Sequence, residues 1–275
     1  MEIFHSLEQI AQPDGRSVVT IGSFDGIHRA HQELLERVRQ LAREADATSV
    51  AVTFDPHPVQ ILAPEKAPKL LTPLPIKLEL LEQSGIDRLL ILPFTRELSR
   101  WSPEQFVQEV LVKAVRAVAV LVGENFRFGH KQAGNPQVMA DLGRRFQFQT
   151  EILPFMQIRG QTVSSSQIRS LLEQGKITLA NRLLGRPFSV RNAIESGLGI
   201  GRSQTVPTLN LAPYFEMLPA AGVYVTWAKL RNGIDENRKA THLRSVTNAG
   251  CRPTFGERDL GVETHLLDAY DGPAP

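Results

Sequence analysis

Apolar residues in the first two thirds of the chain alternate between short unbroken runs and runs spaced by three and four. Val18-Val19 is unbroken, whereas Leu34, Leu35, Val38, Leu41 and Ala42 recur at helical spacing. The change of period predicts a buried strand over 18–22 and a helix over 31–45. Ser49–Phe54 reads as a second strand, stopped by the two prolines of Asp55-Pro56-His57-Pro58. Ile76, Leu80 and Leu81 predict a helix over 76–84, and Leu89–Leu92 a third strand ended by Pro93. Ser102-Pro103 opens a helix over 103–114, with serine as cap and proline in the first turn. Val118–Val122 and Gln149–Leu153 are a fourth and a fifth strand, and 130–136 reads as a mobile loop. Strand, helix, strand in this order implies parallel pairs with right-handed crossovers.

Past Leu184-Gly185-Arg186-Pro187 the runs shorten and are separated by turns, at 188–193, 223–230, 245–248 and 262–267. That pattern predicts a β-rich second domain, barrel or sandwich. The expected division is an α/β domain over 1–184 and a β domain over 185–275. With 275 residues, 42% hydrophobic, the chain can form two cores. Its net charge of +2, from 31 basic and 29 acidic residues, gives no general case for binding nucleic acid or membranes. One cysteine, Cys251, excludes an internal disulfide and suits a reducing, cytoplasmic setting. Met1–Ser6 does not open a signal peptide, and no apolar run is long enough to span a bilayer.

Candidate chemistry gathers where strands end. Thr20–His31 reads as strand, glycine turn and helix start, where unpaired N–H groups and the helix dipole favour anions. Gly22 and Gly26 let a ligand approach the main chain. His28 and His31, three apart, share one face of the first turn and suit a triphosphate. The same spacing also fits a solvated helix start or half a metal site. In open α/β sheets ligands bind beyond the carboxyl ends of strands. The rule places His57 on the same rim, as a substrate contact or as a turn histidine held by prolines. Gly123–Gly129 is another strand-end loop: Phe126 and Phe128 could sandwich a flat ring with Arg127 on a phosphate, or could simply be core. Ser164, Ser165 and Ser166, with Arg169 one turn on, form a second helix start that could clamp phosphate or merely cap. Gly197–Arg202 is glycine-rich but lacks a strand–helix context, so it is a phosphate-covering loop or a hairpin. Thr208 and Asn210 follow as candidate magnesium or phosphate ligands.

Together these stretches resemble the bifunctional prokaryotic riboflavin kinase/FAD synthetase family. The resemblance rests on GSFDGIHRAHQ at 22–32, TFDPHP at 53–58, VGENFRFG at 122–129, SSSQIR at 164–169 and LLGRPF at 183–188. It continues in GLGIGR at 197–202, PTLNL at 207–211, GVYV at 222–225 and AGCRPTFG at 249–256. It implies a Rossmann-like nucleotidyltransferase domain that adenylates FMN, then a six-stranded β-barrel that phosphorylates riboflavin with ATP and Mg2+. By the same resemblance, His28, His31, Ser164, Ser165, Ser166 and Arg169 would hold the ATP phosphates, with Gly22, Phe24, Asp25 and Gly26 in the first loop. Phe54, His57, Asn125, Phe126, Arg127 and Phe128 would line the nucleotide and flavin pocket. Gly199, Arg202, Thr208 and Asn210 would form the kinase's ATP–magnesium site. The partners implied are small molecules: ATP, FMN and riboflavin. The sequence departs from the family at Ala30, where glycine is usual, and at Ser166, where threonine is usual. It also implies a kinase domain incomplete at its C-terminal end, with Glu263 inside a strand and not matching the family's base. A transferase for another phosphorylated cofactor precursor, and a non-catalytic flavin-binding protein, are the alternatives.

Overall fold

The computed structural model describes residues 1–10, 15–195, 208–230, 242–251 and 260–268. Two compact units emerge: 1–167 with 183–185, and 168–182 with 186–275. The positions Gly199 and Arg202 lie outside the described residues.

The first unit begins with β1 (Glu2–Phe4), α1 (Leu7–Ile10), β2 (Ser17–Ile21) and α2 (Arg29–Glu44). There follow β3 (Thr48–Asp55), α3 (Pro58–Leu62), α4 (Leu74–Gln83) and β4 (Arg88–Pro93). Next come α5 (Pro103–Phe106), β5 (Ala117–Gly123), α6 (Pro136–Phe146) and β6 (Gln149–Leu153). A small hairpin, β7 (Gln157–Ile158) and β8 (Gln161–Thr162), leads to α7 (Ser165–Glu173) and α8 (Ile177–Leu184), of which residues 168–182 belong to the second unit.

Strands β1 to β6 form one parallel sheet in the order β1-β4-β3-β2-β5-β6. Every residue of β2 is buried, as expected of a strand covered on both faces. One face carries Val19, Ile21, Val50, Val52, Val120 and Val122 into a core with Phe106, Val110 and Met139. The opposite face carries Val18, Ala51, Leu89, Ile91 and Leu121 into a core with Leu34, Leu35 and Val38 of α2 and Leu81 of α4. The five strands read from periodicity all form. The edge strand β1 is too short to show a period.

Three details differ from the sequence reading. The helix over 103–114 is capped by Ser102, whose Oγ accepts from Gln105 N at 3.0 Å, but from Val107 to Ala114 it widens into a π-helix. The stretch expected to be mobile is tied down. Phe128 and Gly134 exchange N–H···O bonds of 3.1 and 2.9 Å, and the Phe128 ring lies where a Cβ on Gly134 would be, 2.5 Å away. Asn135 then caps the unpredicted α6, accepting from Val138 N at 2.9 Å with Pro136 in the first turn.

The second unit contains β9 (Ile194–Glu195), β10 (Thr208–Leu211), β11 (Gly222–Lys229), β12 (His242–Cys251) and β13 (Leu260–Leu266). Its described strands pair antiparallel in the order β11-β12-β13-β10-β9. The run at 188–193 is irregular, and the strand expected there is the short β9 instead. The side-chain period of two puts Thr208, Asn210, Glu263 and His265 on one face of this sheet. On the other face Thr226, Ser245, Thr247 and Thr264 join their hydroxyls across three strands at 2.7 to 2.9 Å.

Candidate active site

The sheet order makes the site's position a matter of topology. From β2 the chain moves outward through β3 and β4, then returns to place β5 on the other flank of β2. The switch point of this doubly wound sheet lies between β2 and β5, and in such sheets ligands bind in a crevice beyond the carboxyl ends at that point. The segments that leave those ends are 22–28 and 123–129.

After β2, Gly22 N makes a last rung to Val52 O at 3.0 Å, and the backbone turns sharply. Phe24, Gly26 and Ile27 take left-handed φ values of 47, 87 and 37°. A Cβ on Gly26 would sit 2.9 Å from Leu71 Cδ1, so glycine is required both for the turn and for the packing. Exchange of Gly26 for alanine is expected to lower the midpoint of thermal unfolding by several degrees, because strain and overpacking coincide, by about 2 kcal/mol. An unchanged melting curve would contradict this account.

His28 caps α2: its Nδ1 accepts from His31 N at 3.4 Å. The two imidazoles stack with centroids 3.7 Å apart and planes 14° from parallel, and the Phe24 ring meets His31 edge-on at 5.2 Å. His28 is 5% exposed. The Nδ1 of His31 is buried with no hydrogen-bond partner among the described residues. A buried lone pair is tolerated better than a buried unpaired N–H, so the hydrogen-bond pattern assigns the proton of both rings to Nε2. Burial, then His28, then Lys77 holds His31 well below the usual imidazole range. It is therefore uncharged at pH 7, an N–H donor and not a cation. The unfolded chain takes up a proton below about pH 6.5, which the folded form refuses. The stability linked to neutral His31 is thus present above about 6.5 and is lost as pH falls through that value. Chemical unfolding at pH 7 and 5.5 should show a larger loss for the parent than for His31→Gln; equal losses would remove His31 as the cause.

Asp25 is fully buried. Its carboxylate accepts from Leu71 N at 3.1 Å and from Thr72 N at 3.0 Å, while Thr72 Oγ1 accepts from Gly26 N at 2.8 Å. Its carbonyl accepts from Ser165 Oγ at 2.8 Å, 140 residues away. The same tie continues at Gln32, whose amide donates to the carbonyls of Ile27 and Leu184 at 2.8 and 2.9 Å. Ser164 Oγ accepts from Gln167 N at 3.2 Å and so caps the helix that Ser165 begins. The serine cluster is thereby brought against the twin-histidine loop. Arg169 lies one turn along α7 from Ser165. Replacing Ser164 with alanine should cost about 1 kcal/mol through the lost cap, visible as a lower denaturant midpoint; no change would show that the cap carries no weight.

Several expected ligand contacts are placed otherwise. Phe24 and Asp25 have no exposed surface, so they act on a ligand only through the loop that they hold. Phe126 and Phe128 stack on one another at 5.3 Å and 17°, which leaves no slot for a flat ring between them. Phe128 is buried, and the outward face of the loop is offered by Phe126, Asn125 and Arg127. The Arg127 guanidinium donates to Phe126 O at 2.8 Å. Phe54 is half-buried against Phe94 at 5.6 Å. His57 Nδ1 accepts from Val59 N at 3.3 Å and caps α3, with Gln60 closing the box at 3.0 Å. In the second unit Thr208 is exposed, and Asn210 stands opposite Glu263 in register. A carboxylate therefore adjoins the Thr208–Asn210 pair in the sheet register, at the strand position that the sequence had not matched to the family's base.

Lys77 was not singled out by the sequence reading. It lies on α4, four residues before the buried Leu81, and is 3% exposed. A lysine on the apolar stripe of a helix is the signal that could have found it.

An anion-seeking helix start at the switch point of a doubly wound sheet defines the nucleotide-binding α/β class. A family profile described as FAD synthetase matches residues 10–167, and one described as riboflavin kinase matches 184–273. The bifunctional riboflavin kinase/FMN adenylyltransferase of Escherichia coli K12 is 31% identical over 98% of this chain and 84% of its own length. The corresponding protein of Pseudomonas fluorescens is 33% identical with the same coverage. A solved structure described as a macrolide-efflux protein from Streptococcus pneumoniae superposes with TM-score 0.84 at 25% identity, over 98% of this chain and 85% of that one. No helix among the described residues is long and apolar enough to cross a membrane. The chain belongs to the bifunctional riboflavin kinase/FMN adenylyltransferase family. The match over 184–273 does not support the expectation that the second domain is incomplete.

Proposed function

We propose that the chain makes FAD in two steps, phosphorylating riboflavin with ATP and then adenylating the FMN formed. The family match carries both activities. What supports the assignment of the second step to the first unit is the Ser165–Asp25 bond, which joins the serine helix start to the twin-histidine loop.

In the adenylyl transfer an FMN phosphate oxygen attacks the α-phosphorus of ATP in line, the bond to the bridging oxygen breaks, and pyrophosphate leaves. Such a reaction needs positioning and charge neutralisation more than a base. The Nε2–H groups of His28 and His31, the N–H groups at the opening of α2 and the Arg169 guanidinium are assigned to the phosphates. Asn125, Phe126, Arg127, Phe54 and His57 are assigned to the nucleotide and flavin. This domain is taken as the Rossmann-like half, 1–184, and the β-rich domain over 185–275 as the barrel. The single cysteine supports a cytoplasmic location.

For the kinase step, Thr208 hydroxyl, Asn210 amide and Glu263 carboxylate supply hard oxygen donors on one sheet face. They fit Mg2+ brought in with ATP, which takes one or two protein oxygens besides phosphate. No group of three histidine, cysteine or acidic residues suited to a resident metal occurs among the described residues. When bound, the ion spreads the charge of the transferring phosphoryl group. Glu263 is assigned to accept the proton of the riboflavin hydroxyl that attacks the γ-phosphorus, as the bond to the bridging oxygen breaks and ADP leaves.

The test is direct. The purified chain is incubated with MgATP and either FMN or riboflavin, and the products are separated by chromatography. FAD from FMN, and FMN then FAD from riboflavin, are expected. Flavin bound without product would favour a binding protein, and product from another phosphorylated precursor alone would favour a different transferase.

A further inference from the structure

Beyond these assignments one charged side chain is buried at the site with no role yet. Helices α2 and α4 pack on the same face of the sheet, Leu35 and Leu81 sharing one core. Both follow the carboxyl end of a strand, so both begin at the rim of the crevice. His31 precedes Leu35 by one turn and Lys77 precedes Leu81 by one turn. The two first-turn residues therefore lie on neighbouring helices at the same end. Lys77 is only 3% exposed. The segment just before α4, Leu71-Thr72, is the one that captures the Asp25 carboxylate.

We propose that Lys77 is a positioning residue for adenylyl transfer, an ammonium buried behind the His28–His31 pair in the field of the Asp25 and Asp55 carboxylates. It charges the back wall of the phosphate site without touching the substrate. The inference rests on the transferase assignment for its purpose, but its electrostatic content does not need substrate. The charged and titratable groups about His31 are His28 on its own loop and Lys77 from α4; Asp25 and Asp55 act on Lys77 in the opposite sense. Burial lowers the Lys77 value from its ordinary range, and the two carboxylates pull it back. Phe24 closes the remaining side of His31 with an uncharged ring. A cation there disfavours a second positive charge on His31, and so keeps its Nε2–H a neutral donor.

Two substitutions shift that balance in opposite directions. Lys77→Met removes the cation, and the midpoint of His31 should rise toward the free imidazole value. Asp55→Asn, at an exposed position, removes a carboxylate that offsets the cation, so the midpoint should fall further. The measurement is NMR titration of ligand-free protein carrying labelled histidine, with the His31 signal identified by its loss in His31→Gln. In the same variants FAD formation is followed from pH 6 to 8. The acid-side fall should move upward in Lys77→Met, reaching at most about a fourfold loss at pH 6 relative to the parent if His31 regains a value near 6.5. Lys77→Arg should restore the parent profile. Unmoved His31 titration in folded Lys77→Met, or a shift of the same sign in both variants, would overturn the proposal. If Lys77→Met does not fold, Asp55→Asn and Lys77→Arg still decide it by the sign and the absence of a shift. Failure of the parent to make FAD would instead remove the transferase assignment while leaving the titration result standing.

Discussion

Alanine in place of His28 or His31 is expected to slow FAD formation from FMN by about 100- to 1,000-fold, with FMN affinity changed only a few-fold. The rings are stacked at 3.7 Å beside the N–H groups that open a 16-residue helix. In the proposed mechanism donors fixed there would meet charge as it develops on the leaving pyrophosphate, with no reorganisation needed when it appears. The proposed assignment puts FMN on the loop after β5, on the other flank of the switch point, so its binding should be nearly unaffected. His28→Ala carries a second effect that His31→Ala lacks. It removes the acceptor for His31 N and so loosens the first turn of the helix. Single-turnover rates with flavin fluorescence to follow binding separate the two quantities. Parent-like rates in both variants would take the pair out of the mechanism.

The second large effect is on stability. Asp25→Ala strips the acceptor from Leu71 N and Thr72 N and leaves the Lys77 ammonium short of a buried counter-charge. Unsatisfied buried donors and an uncompensated cation together should cost about 3–5 kcal/mol, or roughly 6–20 °C in the unfolding midpoint of the first unit. Because the same carboxylate fixes the loop that carries His28, residual activity in the folded fraction should fall too. Asp25→Asn, which keeps one acceptor, should lie between. A variant as stable as the parent would mean that the loop is held by its apolar contacts alone.

The sheet was legible because its central strands are unbroken apolar runs separated by helices with a clear period, as in Val18–Ile21 followed by Leu34, Leu35 and Val38. The strand order that puts the loops after β2 and β5 side by side was legible too, since it needs no side-chain detail. What stayed hidden was the direction of individual side chains. Asp25 sits in a stretch that the sequence suggested for ligand contact, yet three donors from a segment more than forty residues on turn it inward. Phe126 and Phe128 are two apart, which suggested jaws; Gly134 instead leaves room for the Phe128 ring and lets the pair close on itself. Glu263 was set aside because it lies in a strand, but pairing register is a long-range property, and only the partner β10 shows what stands beside it.

The bond from Ser165 to Asp25 has a consequence for synthesis. Chains emerge from the ribosome from their first residue onward, and domains generally fold as they become available. The central sheet can form once β6 is out, yet the twin-histidine loop gains its tie only when residues 164–166 follow, and the Gln32 contact must wait for Leu184. The nascent polypeptide thus fastens this loop late, after the scaffold that supports it is already in place.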